Sequence, residues 1–397
     1  MRESKRSANE QPNAPKRRMI EIAQPSFGEE EWQALRRPLV SGWVTQGPEV
    51  AAFEQEFAAF HQVDHAVAVS SCTAGLHLIL EAIGCGPGDE VIVPAFTWIA
   101  TANAVSYCGA TPVFVDVDSS TFNLNIDAVE GALTQKTRAV IAVHLFGLCV
   151  DVPKLKAVLP DDVLIIEDAA CAAGAQGAEG FAGSLGDAAA FSFHPRKLIT
   201  TGEGGMVTTR HKDLADKVSQ LRSHGATLSE RQRLLGSQPY LLPDFNQLGY
   251  NYRMTDLQAA VGRVQLSKLE EFIKERSRHT QFYRSALSKI NSLQVPQEPS
   301  EGRHSWQSFT LLLDPNLSPI PRNKLMEKLE AVGISTRTGT HAVHMLGYYR
   351  ERFGLSPEEF PQAQKCNDHS IAIPLHNKMV KEEYQYVVDA LLHHFSL

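Results

Sequence analysis

Between residues 64 and 210 the chain alternates two hydrophobic patterns. Seven short runs are apolar at nearly every position: HAVAVSS, DEVIVPA, TPVFVDV, TRAVIAVHLFG, VLIIEDA, DAAAFSF and GGMVTTR. Most are too apolar on both faces for a half-exposed sheet, so they predict strands covered by helices on both sides. Between them, CTAGLHLILEAIG, WIATANAVSYCG, IDAVEGAL and VPKLKAVLP read as helical patterns. The alternation predicts an α/β fold on a large, seven-stranded, mainly parallel sheet.

After about residue 255 the rhythm changes. MTDLQAAVGRVQLSKLEEFIKERSRHTQFYRSAL reads as one long amphipathic helix with Thr255 and Asp256 as caps. SWQSFTLLL follows as a strand, then PRNKLMEKLEAVG and EEYQYVVDALLHHF as helices. The expected division is a tail over residues 1–19, a large ligand-binding domain over 20–255 and a smaller α+β domain over 256–397. The tail, MRESKRSANEQPNAPKRR and onward, is polar and basic and lacks the apolar stretch of a secretory signal. Its composition predicts disorder; the alternative is an arm that docks on an acidic partner.

Composition narrows the class. The 397 residues are 43% hydrophobic and 21% charged, as in ordinary soluble proteins. The net charge of −7 provides no general field for nucleic acid or acidic membranes. The longest apolar runs, such as AVIAVHLFGLCV, are too short to span a bilayer. Six cysteines (72, 85, 108, 149, 171 and 366) lie scattered without a CxxC pair, so a reduced, cytoplasmic protein with no metal site is expected. No GxGxxG follows the first strand, and no Walker lysine follows SSCTAG, which argues against dinucleotide binding and NTP hydrolysis.

Four features at strand ends carry candidate chemistry. VLIIEDAA runs a strand into two acids, and ligands of open α/β sheets bind beyond the carboxyl ends of strands. Asp168 therefore points into that crevice or caps the next turn. SSCTAGLHL puts hydroxyl residues at a strand-to-helix junction, where Thr73 and free helix amides hold a phosphate or form a plain cap. Trp98, in AFTWIATANA, stacks on a flat heterocycle or packs in the core. Lys197, in FSFHPRKLITTGEGG, is by default a surface cation. Desolvated at the sheet edge, it would have a lowered pKa and a usable neutral amine. A phosphate cradle, a ring stacker, a carboxylate and an amine together are what pyridoxal phosphate (PLP) needs.

From about residue 20 to the C-terminus the chain resembles the DegT/DnrJ/EryC1/StrS family of sugar aminotransferases. The blocks that carry the resemblance are GWVTQGPEVAAFE, SSCTAGLHL, GPGDEVIVPAFTWIATANAV, GATPVFVDVD, VIAVHLFG, IIEDAA, GDAAAFSFHPRKLITTGEGGMV, GYNYRMTDLQAAVG and SIAIPLH. It implies an aspartate-aminotransferase-like (type I PLP) fold, in which residues 20–255 bind the cofactor. Lys197 would be the Schiff-base lysine and proton shuttle, Asp168 the partner of the pyridine nitrogen, and Trp98 the stacking ring. Thr73 and Ala74 would bind phosphate, with Ser192 adding its hydroxyl. Asn251 would reach the partner's cofactor phosphate, which implies a homodimer with shared sites.

One departure is Cys171, where the family commonly has Gln or His against the cofactor's ring hydroxyl; the contact is lost or passed to water. Residues 226–249 form a long link that either shapes the substrate pocket or is a surface excursion. Substrate candidates are Thr45 by analogy, Arg337 for a phosphate or carboxylate, and His344 with His341. For Arg337 the alternative is a surface salt bridge, and for the histidines a structural role. His194 either tunes Lys197 or packs.

The implied activity is a PLP-dependent, ping-pong transamination. L-glutamate is the expected donor, and the acceptor is a nucleotide-linked 4-keto-6-deoxy or 3-keto sugar. A cyclitol (inosose) aminotransferase would share the same core. A sugar dehydratase of this family carries histidine in place of the lysine, so Lys197 argues against it. A non-catalytic regulator on the same fold is disfavoured by the intact Lys197, Asp168 and phosphate cradle.

Overall fold

The computed structural model describes residues 19–227, 240 and 242–395. All seven expected runs form one sheet: β1 (His65–Val69), β2 (Glu90–Pro94), β3 (Thr111–Val115), β4 (Thr137–Val143), β5 (Leu164–Asp168), β6 (Ala188–Ser192) and β7 (Gly205–Thr209). Their order is β1-β7-β6-β5-β4-β2-β3. Only β7 runs antiparallel to its neighbours.

Both faces are buried, which explains the continuous apolar runs. Helices α1 (Glu29–Ser41), α2 (Pro48–His61), α3 (Cys72–Ala82), α4 (Ala100–Tyr107), α5 (Val152–Val158) and α6 (Lys212–Leu221) accompany the strands. Val67, Val69, Val91, Val93 and Ile141 share one core with Leu76 and Ile79 of α3. The intervening Ala68, Ala189 and Met206 face Phe53 and Phe57 of α2. Gly75 lets α3 lie close on the sheet, since a Cβ there would meet Ala190 Cβ and Val207 Cγ2 at 3.1 Å each.

Three helical expectations change. The long helix is two, α7 (Asp256–Ser267) and α8 (Leu269–Leu287), meeting at Lys268. Lys268 turns its amine to Glu30 and Glu31 of α1, at 3.1 and 2.9 Å. Thr255 caps α7 by accepting from the Gln258 N–H, but Asp256 caps another helix. Its carboxylate accepts from the N–H groups of Gly47, Glu49 and Val50 at the start of α2. IDAVEGAL forms only two 3-10 turns, Ile126–Ala128 and Glu130–Ala132; β-branched residues and Gly131 weaken its helix propensity.

The C-terminal part is built on a three-stranded antiparallel sheet, Leu293–Gln294, Phe309–Leu313 and Ser370–Ile373. Its core surrounds Trp306, Tyr283 and Tyr384. Two segments cross the division expected at 255/256. Ile20 packs into this C-terminal core and pairs with Ile334. Helix α8 buries Leu269 and Phe272 in the α2 core but Tyr283 and Leu287 in the C-terminal one. Residues 1–18 of the tail and 228–239 and 241 of the long link lie outside the described residues. The ends of that link meet, with the Thr227 N–H donating to the Asp244 carbonyl at 2.9 Å. Among the described residues no helix is long and apolar enough to cross a membrane.

Candidate active site

Strand register sets the site. Val69, Gly205 and Ser192 lie abreast across β1, β7 and β6, and Asp168 lies beside Ala190. The ends of β1, β5 and β6 and the start of β7 therefore share one edge. There, chain turns carry Ser71 to Ala74, Asp168 to Cys171 and Ser192 to Lys197. Trp98 joins them four residues beyond β2.

Asp168 closes β5 as a buried carboxylate. Oδ2 accepts from Thr101 Oγ1 at 2.8 Å, and Oδ1 accepts from the Ala170 N–H at 3.2 Å. Cys72 Sγ stands 3.8 Å from Oδ1 and donates to the Ala190 carbonyl at 3.3 Å. Behind Thr101 lies Thr97, with the two hydroxyls 3.0 Å apart. These donors fix the carboxylate's orientation, and the Ala170 bond also caps the turn that follows β5. Burial pushes the Cys72 thiol well up, and Asp168 adds to that, so Cys72 is a neutral neighbour.

Lys197 Nζ donates to Cys171 Sγ at 3.2 Å. The expected lowering of its pKa is corrected. Burial opposes the charge, but its neighbours, Cys171 first and Asp168 with it, outweigh that, and the ammonium is favoured above the ordinary lysine value. Thus Cys171 is the immediate neighbour of the amine. His194 is half-buried, and its Nδ1 accepts from the Arg196 N–H at 3.2 Å.

At the start of α3, Ser71 is the cap, and its Oγ accepts from the Ala74 N–H at 3.1 Å. Ala74 is therefore already satisfied, and the remaining donors of this helix end are the N–H groups of Cys72 and Thr73 with the Thr73 hydroxyl. Gly205 presses against them. A Cβ there would lie 2.5 Å from the Ser71 carbonyl carbon and 2.7 Å from the Cys72 nitrogen. Ser192 is half-buried on the neighbouring strand and its Oγ accepts from the His194 N–H at 3.4 Å.

Trp98 is 59% exposed, so it presents its ring outward and is not a core residue. Its neighbour is His341, with ring centroids 5.5 Å apart. His341 pairs with Thr97 through a short antiparallel bridge, which brings the C-terminal part to the site. His344 does not reach it. It is fully buried against Phe360, facing the Pro357 and Ala95 carbonyls, so its expectation as a substrate contact is corrected. Arg337 and Thr45 are exposed. Thr45 is held by its carbonyl, which accepts from the Asp256 N–H at 3.0 Å. Asn251 is exposed and flanked by the Tyr250 and Tyr252 rings, which stack on each other at 5.1 Å.

Sequence reasoning missed Ser71, Cys72, Thr97 and Thr101. The spacing of Thr97 and Thr101 marks one turn, but only the fold brings Asp168 beside them. Together the residues fit PLP: helix-end donors for a phosphate, a primary amine for an aldehyde, an oriented carboxylate for a ring nitrogen, and an outward aromatic face.

The chain matches the model of the DegT/DnrJ/EryC1/StrS aminotransferase family over residues 25–392. It is 38% identical to the spore coat polysaccharide biosynthesis protein SpsC of Bacillus subtilis, over 92% of this chain and 95% of that protein. It is also 38% identical to a GDP-perosamine synthase of Caulobacter vibrioides, over 94% and 97%. Among solved structures, the PLP-form of Spr1654 from Streptococcus pneumoniae superposes with a TM-score of 0.86 at 29% identity, covering 94% of this chain and 97% of that one.

Proposed function

The chain belongs to the DegT/DnrJ/EryC1/StrS aminotransferase family, and from that premise we propose that it moves an amino group from L-glutamate to a nucleotide-linked keto sugar. It is a PLP-dependent aminotransferase of the sugar-modifying type. The finer reading names the acceptor as a 4-keto-6-deoxy or 3-keto sugar. It draws support from the perosamine synthase among its relatives, whose name specifies a GDP-linked compound.

The observation that carries the reading is the placement of Lys197, Asp168 and the α3 start on one sheet edge, beside an outward-facing Trp98. PLP, when bound, supplies an electrophilic carbonyl and an electron sink for the substrate carbon. The rest falls to this chain's residues. Thr73 and the α3 amides bind the phosphate, Ser192 adds its hydroxyl, and Asp168, braced by Thr101, holds the ring nitrogen. Trp98 covers the ring face. Lys197 Nζ takes a proton from the substrate carbon and returns it one position away, in both halves of a ping-pong cycle. Its charge in the free chain must be released before it can act.

Arg337 and Thr45 are the proposed substrate contacts, and His341 replaces His344 as the histidine at the site. A homodimer with Asn251 extended to the partner's phosphate is part of the same proposal. Its support is the exposure of Asn251 and of the nearby apolar Phe245 and Leu248. A cytoplasmic location is proposed with it, supported by six free thiols.

The test is a single-turnover screen of the pyridoxamine-loaded protein against keto sugars and cyclitols. Amine transfer to a nucleotide-linked keto sugar is expected; transfer to cyclitols alone would replace the acceptor assignment. Separately, borohydride should bleach the yellow holoenzyme, and a Lys197→Ala chain that keeps the same reducible chromophore would sink the role of Lys197.

A further inference from the structure

A second cluster of metal-ligating side chains lies away from the cofactor edge. Helix α3 places His77 and Glu81 one turn apart on the same face. Cys108, at the end of α4, reaches the same point. The ligand atoms of the three all lie within 4.8 Å of one another. His77 Nε2 and Glu81 Oε1 are 3.5 Å apart. Donors around a tetrahedral zinc-like ion stand roughly 3.3–3.6 Å apart, given bonds of about 2.0–2.3 Å, so the His77–Glu81 pair already has ligand spacing and Cys108 lies within reach of it.

The imidazole is the independent pointer. His77 is only 5% exposed, and its buried Nε2 makes no well-formed hydrogen bond, its one facing acceptor being Glu81 Oε1 at 3.5 Å. A buried polar atom left so requires an explanation. The ring is fixed around it by Tyr107, Tyr250 and Tyr252, with centroids at 5.6, 4.8 and 6.0 Å. Nδ1 lies 3.4 Å from the Tyr252 hydroxyl. That is the outer partner a ligating histidine uses to keep the opposite nitrogen's lone pair free. The Tyr250 hydroxyl also faces Glu81. Without an ion, Cys108 has an ordinary local partner, the Ala104 carbonyl at 3.4 Å, whereas Nε2 has only the long approach of Glu81.

We propose that His77, Glu81 and Cys108 bind a divalent transition metal of the zinc class, with a fourth position open to water. One nitrogen, one oxygen and one sulfur donor suit zinc, cobalt or nickel and not the all-oxygen preference of calcium or magnesium. Glu81, with 30% of its side chain exposed, provides the way in. On binding, the Cys108 thiol proton leaves to solvent. The fold suggests a structural use. The start of α3 carries Thr73, and Tyr250 and Tyr252 flank Asn251, so an ion here would tie two phosphate-binding segments to α4. The set is not legible in the sequence because Cys108 joins the His77–Glu81 pair only in the folded chain.

The test uses the PLP-loaded full chain, stripped of metal by a chelator and titrated with Co2+ and then Zn2+. We expect one Co2+ per chain with a near-ultraviolet thiolate-to-cobalt charge-transfer band that Zn2+ abolishes. Cys108→Ser should lose the band. It and His77→Gln should weaken binding by more than the roughly ten- to hundred-fold typical of an outer-sphere partner. Zn2+ should raise the thermal midpoint of the parent chain and leave each variant unmoved; because each is compared with itself, a variant's own stability loss does not enter. Absence of Co2+ binding, binding without the band, or a band that survives in Cys108→Ser overturns the proposal.

Discussion

Replacing Thr101 by valine removes one hydroxyl from behind Asp168 and leaves its volume filled. The lost bond, Oγ1 to Oδ2 at 2.8 Å between two buried side chains, joins a neutral donor to a charged acceptor and is worth about 1.5–3 kcal/mol. The other donors, the Ala170 N–H at 3.2 Å and Cys72 Sγ at 3.8 Å, both serve Oδ1. Oδ2 would therefore have no donor among the described residues. If Asp168 holds the ring nitrogen, the loss converts to cofactor binding weakened roughly ten- to hundred-fold. The assay is absorbance titration of the cofactor-free protein with PLP, with thermal unfolding as a check on the fold. Thr101→Ser keeps the hydroxyl and should restore affinity, which a purely steric role would not predict. Thr97→Val, one bond further back, should cost less. A Thr101→Val chain that binds PLP like its parent would refute the bracing role.

Gly205→Ala puts a methyl group into the α3 start, against the Ser71 and Cys72 backbone and the Phe191 carbonyl, at 2.5–2.7 Å. No flexible side chain can yield there, so lower thermal stability and weaker PLP binding should appear together; retention of both would show the cradle to be loose. Stability should also fall on the acid side. Burial lowers the pKa of His61 and of His304 from 6.5 to about 3, so each is neutral when folded. Below pH 6.5 the unfolded chain binds the extra protons. The contribution is complete above 6.5 and is lost as pH falls toward 3, at about 1.4 kcal/mol per pH unit for each group. Urea midpoints equal at pH 7 and pH 5 would contradict this.

The sequence by itself determined the strands, most of the helices and the identity of the central chemistry. These depend on short-range pattern: runs such as VLIIEDAA declare a buried strand ending in an acid, and ordered motif blocks carry Lys197, Asp168 and Trp98 at readable spacings. Tertiary structure decided which group each side chain serves. Asp256 reads as the cap of its own helix, yet its carboxylate is drawn to the uncapped amides at Gly47, Glu49 and Val50. The helix over 256–287 carries a continuous apolar period, but Lys268 breaks it to reach Glu30 and Glu31. His341 and His344 look equivalent in RTGTHAVHML; a two-residue bridge to Thr97 turns one toward Trp98, and the other is buried against Phe360. Lys197 reads as a desolvated amine, but the acidic groups gathered around it reverse the shift. Periodicity records what a residue buries within its own element. Hydrogen-bond partners, charge neighbours and exposure depend on chain segments far apart in sequence, and only register and packing bring those together.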